Sequence, residues 1–161
     1  MPLILEGRRL EIVIAVNSTF SAGEEALKLG AVTTQEDTSE GNGARVLIVD
    51  DSKMSRQMLR NILEKDGYRV VMEASNGLEG LAAYMKCKPD LVTLDITMPE
   101  MDGLEALEKI LSYDPKANAI MITAAGQQDK LMRALRAGAK YFISKPFDEE
   151  EILANIKKVL A

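Results

Sequence analysis

From Arg45 onward the sequence predicts an α/β fold, a doubly wound parallel sheet of five strands alternating with five helices. Two observations predict it. Short β-branched and aliphatic runs recur five times, and a stretch with helical apolar spacing follows each one. Strand–helix–strand connections of this kind cross over right-handed, which makes neighbouring strands parallel and covers both faces with helices. A third observation concerns function. Four of the five strand runs end in acidic, hydroxyl or basic residues, at the sheet edge where such folds bind ligands.

The elements follow in order. Arg45–Val49 (RVLIV) is the first strand. Met54, Met58, Leu59, Ile62 and Leu63 predict a helix over Ser52–Lys65, capped by Asp51 or Ser52 and stopped by Gly67. Arg69–Glu73 is the second strand, and Leu78, Leu81, Ala82 and Met85 predict the inner face of a helix over Asn76–Lys86. Asp90–Leu94 (DLVTL) is the third strand, followed by a helix over Asp102–Ser112. Ala119–Thr123 is the fourth, followed by a helix over Gln128–Ala137 closed by Gly138. Lys140–Ile143 is the fifth, and the last helix spans Asp148–Leu160, where Glu149, Glu150 and Glu151 suit the positive end of the helix dipole.

Upstream, Thr33–Gly43 (TTQEDTSEGNG) is polar and glycine-ended and reads as a linker over 33–43. It separates the body, 44–161, from an N-terminal extension, 1–32. There Leu3–Leu5 and Leu10–Val16 read as a β-hairpin around Glu6–Arg9, and Ser21–Leu29 as a short helix stopped by Gly30. A piece this small does not fold alone in water. Covering a sheet edge, self-association, or a remnant of a partner domain all remain open for it.

The opening of the body, VLIVDDSK, sets two carboxylates at the tip of a hydrophobic strand. Repulsion and desolvation both disfavour that arrangement, and a turn needs only one Asp. The third strand leads into Asp95, the fourth ends in Thr123 and the fifth runs into Lys145–Pro146. Three carboxylates, a hydroxyl and an ammonium therefore share one edge. Clustered carboxylates suit a hard cation such as Mg²⁺ or Mn²⁺. The hydroxyl and ammonium suit phosphoryl oxygens. A carboxylate beside the cation can act as nucleophile and form an acyl phosphate. Site chemistry alone points to phosphoryl transfer onto an aspartate.

VLIVDDSKMSR, LVTLDITMPEMDGLEAL, IMITAAG and YFISKPF together resemble the response-regulator receiver domain, from Ala44 to the C-terminus. The resemblance implies a flavodoxin-like strand order 2-1-3-4-5. It implies Asp95 as phosphoacceptor and Asp50, Asp51, Asp95 and the Thr97 backbone carbonyl as Mg²⁺ ligands. Thr123 and Phe142 would be the switch pair, Lys145 the phosphoryl partner, and the bond before Pro146 cis. Phe142 stands where many relatives have Tyr, so the switch would be rotameric and hydrophobic without a hydroxyl bond. ITMPEMDG and AAGQQ further resemble the stand-alone chemotaxis regulators of CheY type. The implied partners are a CheA-like histidine kinase and a downstream target such as the flagellar motor switch, or a phosphatase. A docking face is expected around Gln127–Arg136 and Tyr141–Phe142. The rival within the family is a phosphorelay intermediate or phosphate sink outside chemotaxis. Such a chain is a signalling phosphoacceptor with weak autophosphorylation and autodephosphorylation, not an enzyme in the usual sense.

Bulk properties narrow the field. The 161 residues contain no histidine, which excludes a Ser-His-Asp triad, a histidine-held zinc and a phosphohistidine on this chain. A net charge of −5 argues against nucleic acid. No apolar run reaches membrane-spanning length. The lone Cys87 excludes an internal disulfide and fits a reducing, cytoplasmic setting and a structural role. A monomer is expected, with the extension as the candidate for self-association. A haloacid-dehalogenase phosphatase would need a second acid two residues after Asp95, where Thr97 stands. In a flavodoxin, Asp50 and Asp51 would repel the flavin phosphate. The methionines, from Met54 and Met58 through Met85 to Met132, are expected in core and turn packing.

Overall fold

The computed structural model describes residues 43–161; the hairpin, helix and most of the linker expected upstream lie outside the described residues. Five strands alternate with five helices: β1 (Arg45–Val49), α1 (Lys53–Lys65), β2 (Arg69–Ala74), α2 (Gly77–Cys87), β3 (Leu91–Asp95), α3 (Gly103–Tyr113), β4 (Ala119–Thr123), α4 (Gln128–Ala137), β5 (Tyr141–Ser144) and α5 (Glu149–Leu160). All pairings are parallel, and the order is β2-β1-β3-β4-β5. The expected boundaries fall within about a residue of these, because side-chain caps mark the starts. Ser52, Asn76, Asp102 and Asp148 each accept a backbone N–H from the first turn of the helix they precede.

The two-residue period of the strands sorts side chains into two apolar layers. Val46 and Ile48 of β1 join Leu59 and Leu63 of α1 and Ile152 and Ile156 of α5 on one face. Leu47 and Val49 join Tyr84 of α2, Leu107 and Ile110 of α3, and Leu131 of α4 on the other. Each fully buried Leu or Ile contributes about 2 kcal/mol by leaving water. Among the described residues no helix is long and apolar enough to cross a membrane.

Two expectations about helix faces are corrected. In α2 the buried face is Gly77, Gly80, Ala83 and Tyr84 with Leu81 partly buried beside it, while Leu78, Ala82 and Met85 are exposed. A Cβ added to Gly80 would lie 2.8 Å from Cγ1 of Val49, so α2 reaches the sheet through small residues. In α1, Leu59 and Leu63 carry the burial, and Met54 and Met58 are exposed at 72% and 46%. At 3.6 residues per turn, Met58 lies about 100° and Met54 about 140° around the helix from Leu59, outside a normal core stripe. Met132 is exposed as well, whereas Met98 and Met121 are buried as expected.

The connections reverse direction between β1 and β3, so the carboxyl tips of these two strands border the crevice. Val49 sits in register with Leu94, which brings the next residues, Asp50 and Asp95, side by side.

Candidate functional site

Register delivers the rest of the site. Asp95 pairs with Ile122, so Thr123 stands one residue beyond it on β4. Thr123 pairs with Ser144, so Lys145 follows at the tip of β5. Asp50, Asp95 and Thr123 are all buried, while Asp51 and Thr97 are exposed at the rim. Carboxylate oxygens of Asp50, Asp51 and Asp95 lie within 4.8 Å of one another. The Lys145 ammonium stands 3.1 Å from Asp50 and 3.8 Å from Asp95, and the Lys145–Pro146 bond is cis.

The electrostatics are unbalanced. Burial of Asp95 comes first, and with the negative charges of Asp50 and Asp51 it pushes this carboxyl up to about 7 against the opposing pull of Lys145. One ammonium does not compensate three carboxylates. A hard oxygen set with surplus negative charge, open on the Asp51 side, fits a divalent cation of the Mg²⁺ type.

The supporting groups are less visible in sequence. Asp50 is fixed from two directions. Its carboxylate accepts the Ser52 N–H at 2.8 Å, and its carbonyl accepts from the Arg56 guanidinium at 2.7 Å. Arg56 also donates to Glu73 at 3.0 Å, and Arg60 to the other Glu73 oxygen at 2.6 Å. Burial alone would raise the Glu73 carboxyl; hydrogen bonds from Arg60 and Arg56 win and hold it below the usual carboxylate range. Behind Asp95, Gly103 lets α3 approach: its N–H donates to the Ile96 carbonyl at 2.7 Å, and an added Cβ would fall 2.0 Å from the Asp95 carbonyl oxygen.

The Thr123 hydroxyl faces α4. It has the Ala124 carbonyl at 3.2 Å and Gln127 Oε1 at 3.5 Å as acceptors. Gln127 Oε1 also accepts the Ala124 N–H at 2.7 Å, and Gln127 Nε2 donates to Thr97 Oγ1. Phe142 pairs with Met121 in the sheet and packs half-buried against the α2–α3–α4 layer, its ring stacked on Tyr141 with centroids 5.4 Å apart. Gln127 and Arg56 carry no special spacing in the sequence; only folding shows that they bracket the site.

Residues 46–157 match the family model described as response regulator receiver domain. The chain is 49% identical to the chemotaxis protein CheY of Thermotoga maritima over 117 residues, covering 73% of this chain and 98% of that one. It is 50% identical to CheY of Bacillus subtilis, covering 72% and 97% respectively. The sporulation initiation phosphotransferase F of Bacillus subtilis is 39% identical over 72% of this chain and 93% of its own length. A chain from the crystal structure of the CheX–CheY–BeF3–Mg²⁺ complex of Borrelia burgdorferi superposes with a TM-score of 0.72 at 36% identity, covering 76% of this chain and 99% of that one. A sheet ordered 2-1-3-4-5, an acidic crevice at its switch point and these likenesses agree, and the chain belongs to the response regulator receiver domain family.

Proposed function

We propose that this receiver takes a phosphoryl group from the phosphohistidine of a sensor kinase onto Asp95, and that the transfer changes a protein-docking face in a chemotaxis pathway. The observation that carries this reading is the convergence of Asp50, Asp51 and Asp95 with the Lys145 ammonium at the tips of β1, β3 and β5.

Asp50, Asp51, Asp95 and the Thr97 carbonyl are the residues to hold Mg²⁺, with Mn²⁺ as a substitute. When bound, the cation offsets carboxylate repulsion and draws charge from phosphoryl oxygens. An Asp95 carboxylate oxygen attacks phosphorus, the P–N bond of the donor breaks, and its electron pair returns to the imidazole. Lys145, freed from part of its pairing with Asp50, contacts a phosphoryl oxygen, and Thr123 turns to donate to another. Ala124 and Ala125 are small and exposed, which keeps the approach to Asp95 open to a phosphohistidine and later to water. Hydrolysis of the acyl phosphate resets the site, so the chain's own catalysis is confined to phosphorylation and dephosphorylation of itself.

The output follows from Thr123. Its departure from the α4 side opens space into which Phe142 rotates, and the surface around Gln127–Arg136 and Tyr141–Phe142 changes for a partner helix. A signal passes only if the partner binds the two states with different free energy. The high identity to CheY proteins favours a CheA-like kinase as donor and a flagellar switch component or a phosphatase as target.

Radiolabelled acetyl phosphate tests the chemistry. Labelling should need Mg²⁺, vanish with EDTA and vanish in Asp95→Asn. Label retained in Asp95→Asn without a new site appearing would falsify the assignment. If beryllofluoride shifts stay within the carboxylate pocket and never reach Phe142, the chain is a relay or sink and not a switch.

A further inference from the structure

Among the described residues, four of the five helices begin with a side-chain cap, and α4 does not. Gln127 occupies its cap position but makes no side-chain bond to its own first turn. The carboxamide instead reaches backward. Oε1 accepts the Ala124 N–H at 2.7 Å and lies 3.5 Å from the Thr123 hydroxyl, whose nearer acceptor is the Ala124 carbonyl at 3.2 Å in the same segment. The orientation is unambiguous, because a backbone N–H can only donate and therefore faces the carbonyl oxygen of the amide. Nε2 is thus committed to Thr97 Oγ1 in the loop after β3. One half-buried side chain joins the β3–α3 loop, the switch hydroxyl and the start of α4. A second tie runs in parallel, from Lys130 of α4 to Asp102, the cap of α3, at 3.3 Å.

This arrangement gives the Thr123 hydroxyl a competing acceptor. Its single proton cannot serve both the α4 side and a phosphoryl oxygen at Asp95. Resting on the phosphoacceptor reading of Asp95, we infer that Gln127 is a positioning residue that latches the unphosphorylated state. It holds Thr123 and Ala124 toward α4, and it releases them when a phosphoryl group outcompetes it for the hydroxyl. Release of the latch removes one of the two ties on the uncapped start of α4 and leaves the Lys130–Asp102 pair as the other. Gln127 sets how readily the docking face responds; Asp95, Lys145 and the acidic pair perform the transfer.

The test titrates beryllium fluoride with excess Mg²⁺ into the full chain, following the Ala124 and Phe142 amides by ¹⁵N NMR. Wild type is compared with Gln127→Ala, Thr97→Val and the double variant; Thr97→Val keeps side-chain shape and the backbone carbonyl. Loss of one hydrogen bond should lower the half-saturating concentration about three- to tenfold in Gln127→Ala and less in Thr97→Val. Before any addition, the Ala124 amide of both variants should already lie part of the way toward its saturated position. The double variant should behave as Gln127→Ala, because the Thr97 bond is then already lost. General damage to the fold gives weaker, not tighter, saturation and cannot imitate this pattern. Unchanged midpoints in both single variants, or additive effects in the double, overturn the latch. A wild-type chain that shows no shift with beryllofluoride overturns instead the reading of Asp95 on which the latch rests.

Discussion

Removing the charge of Asp95 should stabilise the metal-free protein, and the gain should depend on pH. The buried carboxyl is pushed from an ordinary 3.8 to about 7 by burial and by its acidic neighbours. A folded-state value above the unfolded one means that the folded protein holds the extra proton between those limits. Stability from this group is therefore full below about pH 4 and is lost as pH rises toward about 7. A shift of that size corresponds to about 4 kcal/mol. Solvent at the open rim, where Asp51 is exposed, screens part of the repulsion, and about 2 kcal/mol is the working expectation. Asp95→Asn keeps the shape, removes the titration and leaves Lys145 with Asp50 at 3.1 Å. In EDTA, urea unfolding at about pH 8 should then show the variant about 2 kcal/mol more stable than wild type. At about pH 4.5 the two should nearly coincide. Excess Mg²⁺ should narrow the gap at high pH by stabilising wild type more than the variant, which lacks one carboxylate of the cluster. Equal unfolding free energies of the two proteins across this range in EDTA would refute the idea that burial and carboxylate repulsion at Asp95 cost stability in the folded site.

Other outcomes follow from the same geometry. Gly103→Ala places a Cβ 2.0 Å from the Asp95 carbonyl oxygen; thermal unfolding should report about 2–3 kcal/mol lost, and acetyl phosphate labelling should fall with it. Glu73→Gln leaves Arg56 and Arg60 without their shared partner. Because the folded Glu73 carboxyl sits below its usual range, the contribution is present at neutral pH and fades as pH falls through that range. The part-exposed pair limits the loss to about 1 kcal/mol, measured by urea titration of both proteins at neutral and acid pH. Lys88 ends α2 with φ of 44°, a left-handed conformation that favours glycine; Lys88→Gly should raise stability by about 1 kcal/mol in the same assay.

Much of the fold was legible because it depends on two local signals. The β-branched runs and the caps at Ser52, Asn76, Asp102 and Asp148 sit where the chain changes from one backbone geometry to another. Helix faces were less legible where burial is achieved without large apolar residues. Gly80 and Ala83 face the sheet in α2 because close approach to Val49 requires small side chains, and no count of leucines and methionines detects that. The acidic pair, Asp95, Thr123 and Lys145 announced themselves as polar residues at the tips of apolar strands. Gln127, Arg56 and Gly103 did not, since each acts through a partner distant in sequence: Thr97, Glu73 and the Asp95 backbone.

The same partition bears on the proposed switch. The groups proposed to hold charge are fixed to the sheet: Asp50 by Ser52 and Arg56, Asp95 by its place in β3, Lys145 by the acids themselves. Thr123 alone among them has a hydroxyl that chooses between acceptors, and its present acceptors belong to the segment leading into α4. In the proposed switch, an acceptor entering the pocket meets charged groups at the strand tips and one neutral donor, Thr123, that has other acceptors to leave. On that proposal, the free energy of the new bond would pass into displacement of the β4–α4 segment, which carries both present acceptors of the Thr123 hydroxyl. That segment leads into α4, the one helix start without a side-chain cap among the described residues.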